Sequence, residues 1–103
     1  MSYKALPDAL HIGDSQVAGQ GIFAKEDIPV NTELGLSHIL LEILFDEIFR
    51  TPLGGFINHS DDPNCVKYPV DNKYYIKYYI KTIKPIKAGE ELFLKYTFYS
   101  VHK

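Results

Sequence analysis

The sequence predicts a mostly β protein, with several short strands gathered into small sheets and at most one short helix. Apolar, β-branched and aromatic residues come in short runs cut by Gly, Pro, Asp and Asn, as strands separated by tight turns require. The stretch from Lys73 to Ile83 alternates with period two, the pattern of a strand with one face buried. At 103 residues the chain is expected to form one small domain, residues 1–103, burying only about 60–70% of the surface its unfolded form exposes.

Leu10-His11-Ile12 and Gly21-Ile22-Phe23-Ala24 read as the first strands, separated by the turn-rich region Gly13 to Gly19, and Asp27 to Asn31 reads as the next turn. From Ser37 to Arg50, the residues Ile39, Leu40, Ile43, Leu44 and Ile48 have roughly helical spacing with Ser37 placed as an N-cap. A strand through Leu34–Leu41 followed by one helical turn fits the same residues. Thr51 to Gly55 is expected to be a loop. Val66-Lys67-Tyr68 and Lys73–Ile83 then pair through Asp71-Asn72, Pro85 to Gly89 turns, and Leu92–Tyr96 is the last strand. KYYI occurs twice in succession, which the period-two alternation explains without a repeat architecture.

Composition narrows the function classes. No apolar run approaches the roughly 20 residues of a membrane span, and no apolar region of a secretory signal follows Met1-Ser2-Tyr3-Lys4. Cys65 is the single cysteine, so an internal disulfide and a four-cysteine zinc site are excluded and a reducing, intracellular setting is expected. A net charge of −2 argues against wholesale nucleic-acid binding. Up to Arg50 there are three basic and eight acidic residues, and beyond it eight basic and five acidic. The acidic half would suit a basic peptide as partner.

Chemistry concentrates in three segments: Ala18-Gly19-Gln20-Gly21-Ile22-Phe23-Ala24, Gly55-Phe56-Ile57-Asn58-His59-Ser60-Asp61-Asp62-Pro63-Asn64-Cys65, and Gly89-Glu90-Glu91-Leu92-Phe93-Leu94-Lys95-Tyr96. Taken alone, Gly19 and Gly21 allow a tight turn, and the Gly-Ile-Phe-Ala run is also similar to small β-clip modules of sugar-acid enzymes. Asn58-His59-Ser60 is formally a glycosylation sequon, which needs a secretory route. His59 and Ser60 point to opposite faces of an extended chain, which disfavours a nucleophile–base pair. His59 and Cys65 lack the further ligands a metal site needs, so no metal is expected. Cys65 reads most simply as a small buried hydrophobe.

In this order the three segments resemble the signature of the SET-domain family of protein-lysine methyltransferases, in the style of its compact viral and bacterial members. The resemblance spans nearly the whole chain. It implies a SET-domain (β-clip) fold with a C-terminal pseudoknot in which the middle and last segments cross, and S-adenosylmethionine as cosubstrate. Carried over residue by residue, it assigns cosubstrate contacts to Gln20, Gly21, Ile22, Phe23, Asn58, His59 and Tyr96. The resemblance also implies that Tyr96 is the catalytic residue, orienting amine and methyl, and that Asn64 braces the crossing. The sequence departs from the family pattern at Gly55, where many members have Arg, at Asp61, where many have Cys, and at Leu94, where Phe or Tyr influences how many methyl groups are added. The cysteine-rich, zinc-binding flanks of larger members are absent. The lid over the cosubstrate would come from Phe98, Tyr99 and Val101 or from a second subunit, which favours a homodimer.

The implied reaction sets physical demands. Methyl transfer to a lysine is an in-line displacement, so the protein must align nitrogen, carbon and sulfur and exclude water. The amine, with an ordinary pKa of about 10.4, must be neutral, and a narrow aromatic channel beside the sulfonium charge disfavours the ammonium. Eight tyrosines and six phenylalanines can wall such a channel. Two other readings stay open: a catalytically weak SET-fold module that binds a lysine-containing peptide, and a β domain whose Tyr74, Tyr75, Tyr78 and Tyr79 stack the bases of single-stranded nucleic acid.

Overall fold

The computed structural model describes residues 6–41 and 47–96. Among them run β1 (Leu10–Asp14), β2 (Gln20–Ala24), β3 (Glu33–Leu41), β4 (Glu47–Arg50), α1 (Pro52–Phe56), β5 (Asn58–His59), β6 (Cys65–Asp71), β7 (Ile76–Thr82) and β8 (Glu91–Leu94). One sheet has the order β1-β2-β8-β5 and the other β4-β3-β7-β6. The expected mostly β architecture of small sheets with one short helix is what the chain adopts.

The stretch with helical spacing is not a helix. Ser37 to Leu41 belong to β3, which pairs antiparallel with β4 on one side and β7 on the other. The alternative strand through Leu34–Leu41 is therefore the correct half of that reading, and the helical turn expected after it falls outside the described residues, with strand β4 following. Two ladders of backbone hydrogen bonds override a local periodicity that β-branched isoleucines support only weakly. Ser37 is no N-cap: fully buried, its Oγ donates to the Tyr78 carbonyl at 3.0 Å.

The short helix lies where a loop was expected. Thr51 caps it, its Oγ1 accepting from Gly54 N at 3.3 Å and donating to the Leu36 carbonyl at 2.6 Å, while Pro52 occupies the first turn, where its missing N–H costs nothing. Gly54 lies flush on β3, and a Cβ there would collide with the Ser37 carbonyl oxygen. Thr-Pro-x-Gly is thus a cap followed by a close approach, and of the two glycines that suggested a loop Gly54 serves packing.

The β6–β7 hairpin turns later than expected. Asp71 ends β6, and the turn spans residues 72–75, with Asn72 N donating to Tyr75 O at 2.9 Å and Asn72 Oδ1 accepting from Tyr74 N at 3.0 Å. Register pairs Tyr68 with Tyr79 and Val66 with Lys81. Ile80 and Thr82 are buried, as the alternation requires. Lys77 lies 5.2 Å from the centre of the Tyr75 ring and Lys73 5.7 Å from that of Tyr74, so lysines lie over two of the rings that base stacking would need.

The core draws on both sheets and the helix. Ile22 and Leu92 from the first sheet, Ile80 from the second, Leu53 from α1 and Ile57 beside it are fully buried, each contributing on the order of 1.5–3 kcal/mol. Ile28 and Ile86 form an isolated bridge that ties residues before β3 to those before β8. Two-residue β5 is held by parallel pairing to β8, with Asn58 opposite Phe93 and His59 opposite Leu94. Ser60 N extends that pairing by donating to Leu94 O at 2.9 Å.

Candidate active site

The middle and last motifs meet along the β5–β8 pair. Asn64 joins them from the flank: its Nδ2 donates to Glu91 O at 2.9 Å and its Oδ1 accepts from Phe93 N at 2.8 Å. One side chain thereby completes two backbone hydrogen bonds of β8, the bracing expected of it. His59 turns its ring the other way and lies against Tyr96, with ring centroids 5.1 Å apart. Tyr96 N donates to His59 Nδ1 at 2.8 Å, so Nδ1 carries the lone pair. Nε2, 3.2 Å from Asp61 Oδ1, is then the protonated nitrogen. Tyr96 Oη donates to the Ile57 carbonyl at 2.6 Å.

Asn58 links this strand pair to the glycine turn. Its Nδ2 lies 3.1 Å from Ala18 O, 3.2 Å from Gln20 O and 2.9 Å from Glu91 Oε2, three acceptors that fix the orientation of the amide. The glycines of the turn do different work. Gly19, at φ +46, supplies the left-handed backbone conformation, and Ser15 N closes the turn by donating to Gly19 O at 2.8 Å. Gly21 has no space for a side chain, because a Cβ would collide with Glu91 Oε2 and come within 3.0 Å of Asn58 Nδ2.

Gln20, Gly21, Asn58, His59 and Tyr96 are thus brought together through main chain and short polar contacts. Ile22 and Phe23 follow Gly21 on β2, paired with Leu92 and Glu91 of β8, and their side chains do not join these polar contacts. The Ile22 side chain is fully buried in the core, and Phe23 stacks on His11 at 5.7 Å. Phe23 also lines a cleft of about 380 Å³ with Asp14, Gln16, Glu91 and Phe93. Phe98, Tyr99 and Val101, expected as lid residues, lie outside the described residues.

Two residues that sequence reading gave no role belong to the centre of this arrangement. Glu91 accepts from Ser15 Oγ at 2.8 and 2.9 Å as well as from Asn58. Ser15 Oγ in turn accepts from Val17 N at 3.0 Å and Ala18 N at 3.4 Å. The Gly-Glu-Glu-Leu motif flagged the segment without separating its acids. Glu90 is occupied in the turn, accepting from Lys87 N at 2.6 Å. Nothing in the sequence singles out Ser15.

Nearby titratable groups are tuned by burial. His38 is held down to about 4, first by desolvation and then by the Lys67 and Arg50 charges. Ser37 Oγ spends its one proton on Tyr78 O, so His38 Nδ1, 2.9 Å away, must donate to it. Burial lowers Lys67 to about 8 and raises the Cys65 thiol to about 12, which removes Cys65 as a nucleophile at neutral pH. Lys67 and Cys65 border a small cavity of about 140 Å³ with Leu94 and Lys95. Among the described residues no three His, Cys, Asp or Glu side chains gather as metal ligands.

The chain is similar to known proteins. The family model for the SET domain matches residues 38–97. A histone-lysine N-methyltransferase of Schizosaccharomyces pombe, specific for H3 lysine-37, is 30% identical over an alignment of 118 residues that covers 93% of this chain and 78% of the relative. A Plasmodium falciparum structure described as a histone methyltransferase superposes with a TM-score of 0.71 at 19% identity, covering 88% of this chain and 95% of the other. The Chaetomium thermophilum Polycomb Repressive Complex 2, in an autoinhibited conformation bound to S-adenosylmethionine, superposes with a TM-score of 0.68 at 25% identity, over 85% of this chain and 15% of that one.

Proposed function

This chain belongs to the SET-domain family, and from that premise we propose that it transfers a methyl group from S-adenosylmethionine to the side-chain amine of a lysine in a basic protein. The observation that carries the reading is the junction of the glycine turn, Asn58 and the His59–Tyr96 contact at the β5–β8 crossing. The parallel β5–β8 pair, clamped by Asn64, supports the pseudoknot crossing that the family resemblance implies.

The donor set fits the cosubstrate. With Nδ2 committed to the Ala18 and Gln20 carbonyls and the Glu91 carboxylate, Asn58 Oδ1 is left to accept from a ligand. A cluster of acceptors favours a ligand bearing an ammonium and a sulfonium. S-adenosylmethionine would supply the methyl on a sulfonium leaving group. Gln20 and Asn58 would hold its polar end, while His59 fixes the main chain of Tyr96. Tyr96, half-buried against the core, walls the lysine amine and orients it through its hydroxyl and the neighbouring carbonyls.

The same reading takes residues 1–103 as a single catalytic domain, places it inside the cell, and requires no metal. It also includes a homodimer, supported by the position of β4 at a sheet edge with Ile48 39% and Phe49 48% exposed. Titration calorimetry with S-adenosylmethionine tests the cosubstrate site. The parent should bind and folded Asn58→Ala should bind at least about tenfold more weakly. Equal affinity would remove Asn58 from the site.

A further inference from the structure

We infer that Glu91 is the positioning residue of the cosubstrate site, its carboxylate fixing both the shape of the glycine turn and the edge of the Asn58 amide that faces the ligand. The inference rests on the proposed S-adenosylmethionine site and adds to it a residue outside the motif positions assigned to cosubstrate contact.

What each group can donate sets the orientation of the amide. An ionised carboxylate only accepts hydrogen bonds, so opposite Glu91 Oε2 the Asn58 amide must present Nδ2, as it does at 2.9 Å. Flipping the amide would set Oδ1 against three oxygens, those of Ala18, Gln20 and Glu91. Glu91 therefore keeps the Asn58 oxygen free to accept from a cationic ligand. The same carboxylate receives the Ser15 hydroxyl, whose Oγ collects the N–H groups of Val17 and Ala18. The turn that presents Gln20 O is thus built on Glu91 from one side, and Asn58 from the other.

Gly21 is an independent sign of the same device. Its missing Cβ leaves the space that the Glu91 carboxylate fills, so the second glycine of the motif is explained by a side chain on β8. Gly21 and Glu91 should therefore be energetically coupled, although they lie on different strands.

Calorimetry and steady-state kinetics test this on the parent, Glu91→Gln, Ser15→Ala, Gly21→Ala, Glu91→Ala and the double variant Gly21→Ala/Glu91→Ala. A glutamine can turn its NH2 toward Asn58, which removes one of the three acceptors that hold Nδ2 and loosens the amide. Glu91→Gln should therefore weaken S-adenosylmethionine binding about tenfold and raise its KM in step. The KM for the lysine peptide should stay at the parent value, and kcat at saturating cosubstrate should fall less than about threefold. Gly21→Ala should weaken binding as strongly in the parent but add little on top of Glu91→Ala, because the colliding oxygen is gone. A folded Glu91→Gln protein with parental affinity, a loss confined to kcat, or a Gly21→Ala penalty that ignores Glu91 would each overturn the inference. Should Glu91→Gln fail to fold, Ser15→Ala carries the test, with about threefold weaker binding expected and parental affinity overturning the proposal. A parent that binds no S-adenosylmethionine overturns the cosubstrate site itself, whereas a binding parent matched by Glu91→Gln overturns the role of Glu91 alone.

Discussion

The hydroxyl of Tyr96 donates to the main-chain carbonyl of Ile57 at 2.6 Å, so the residue that closes the last motif is tied to the one immediately before Asn58. Ile57 is buried, and removing the hydroxyl leaves its carbonyl without this partner. Tyr96→Phe should therefore cost about 1–2 kcal/mol of stability in denaturant titrations, more than the sequence alone suggests. Affinity for S-adenosylmethionine should change less than about twofold, while kcat falls by two orders of magnitude or so, because the hydroxyl acts mainly on the aligned transition state. Tyr99→Phe is the control and should retain turnover. Loss of turnover in Tyr99→Phe with retention in Tyr96→Phe would shift the catalytic register to Tyr99.

Asn64 holds the backbone of β8. Replacing it with alanine leaves Glu91 O and Phe93 N of β8 without their side-chain partner. Asn64→Ala should destabilise by about 2–4 kcal/mol, read as a lower denaturation midpoint with unchanged slope. The folded fraction should bind S-adenosylmethionine as the parent does. Weaker binding at full folding would move Asn64 from brace to ligand contact.

What the sequence made legible depended on how local each signal was. The three motifs, the β6–β7 pair and the role of Asn64 were readable because turn residues and period-two alternation act over a few neighbours. Residues 37–41 misled because the ladder to β7, far along the chain, together with the pairing to β4, outweighs their local spacing. The Thr51 cap was hidden by the two glycines after it, of which Gly54 makes the close contact with β3. Ser15 could not be found at all, since its partner Glu91 is 76 positions away and a serine in a turn has many ordinary uses.

His38 makes stability depend on pH. Its folded pKa of about 4 lies below its ordinary 6.5, so between these values the unfolded chain binds a proton that the folded chain refuses. The contribution is fully present above about pH 6.5 and is lost as pH falls toward 4, on the order of 3 kcal/mol at most. Denaturant titrations at pH 7.5, 6 and 5 should show the decline, and His38→Gln should flatten it. An equal slope in that variant would assign the pH dependence to other groups.

Cys65 should be inert in the native protein. Burial raises its thiol to about 12, and it is 1% exposed at the start of β6. A thiol reagent at pH 8 should label it only after denaturant is added. Rapid native labelling would place the β6–β8 contact in frequent local opening.

Labelled S-adenosylmethionine incubated with the protein and a panel of basic proteins, followed by mass spectrometry of the products, tests methyl transfer itself. The account predicts label on a lysine side-chain nitrogen, formed by the parent and nearly abolished in Tyr96→Phe. A parent that binds S-adenosylmethionine yet labels no lysine in any acceptor would contradict the account and favour a binding module built on the same fold.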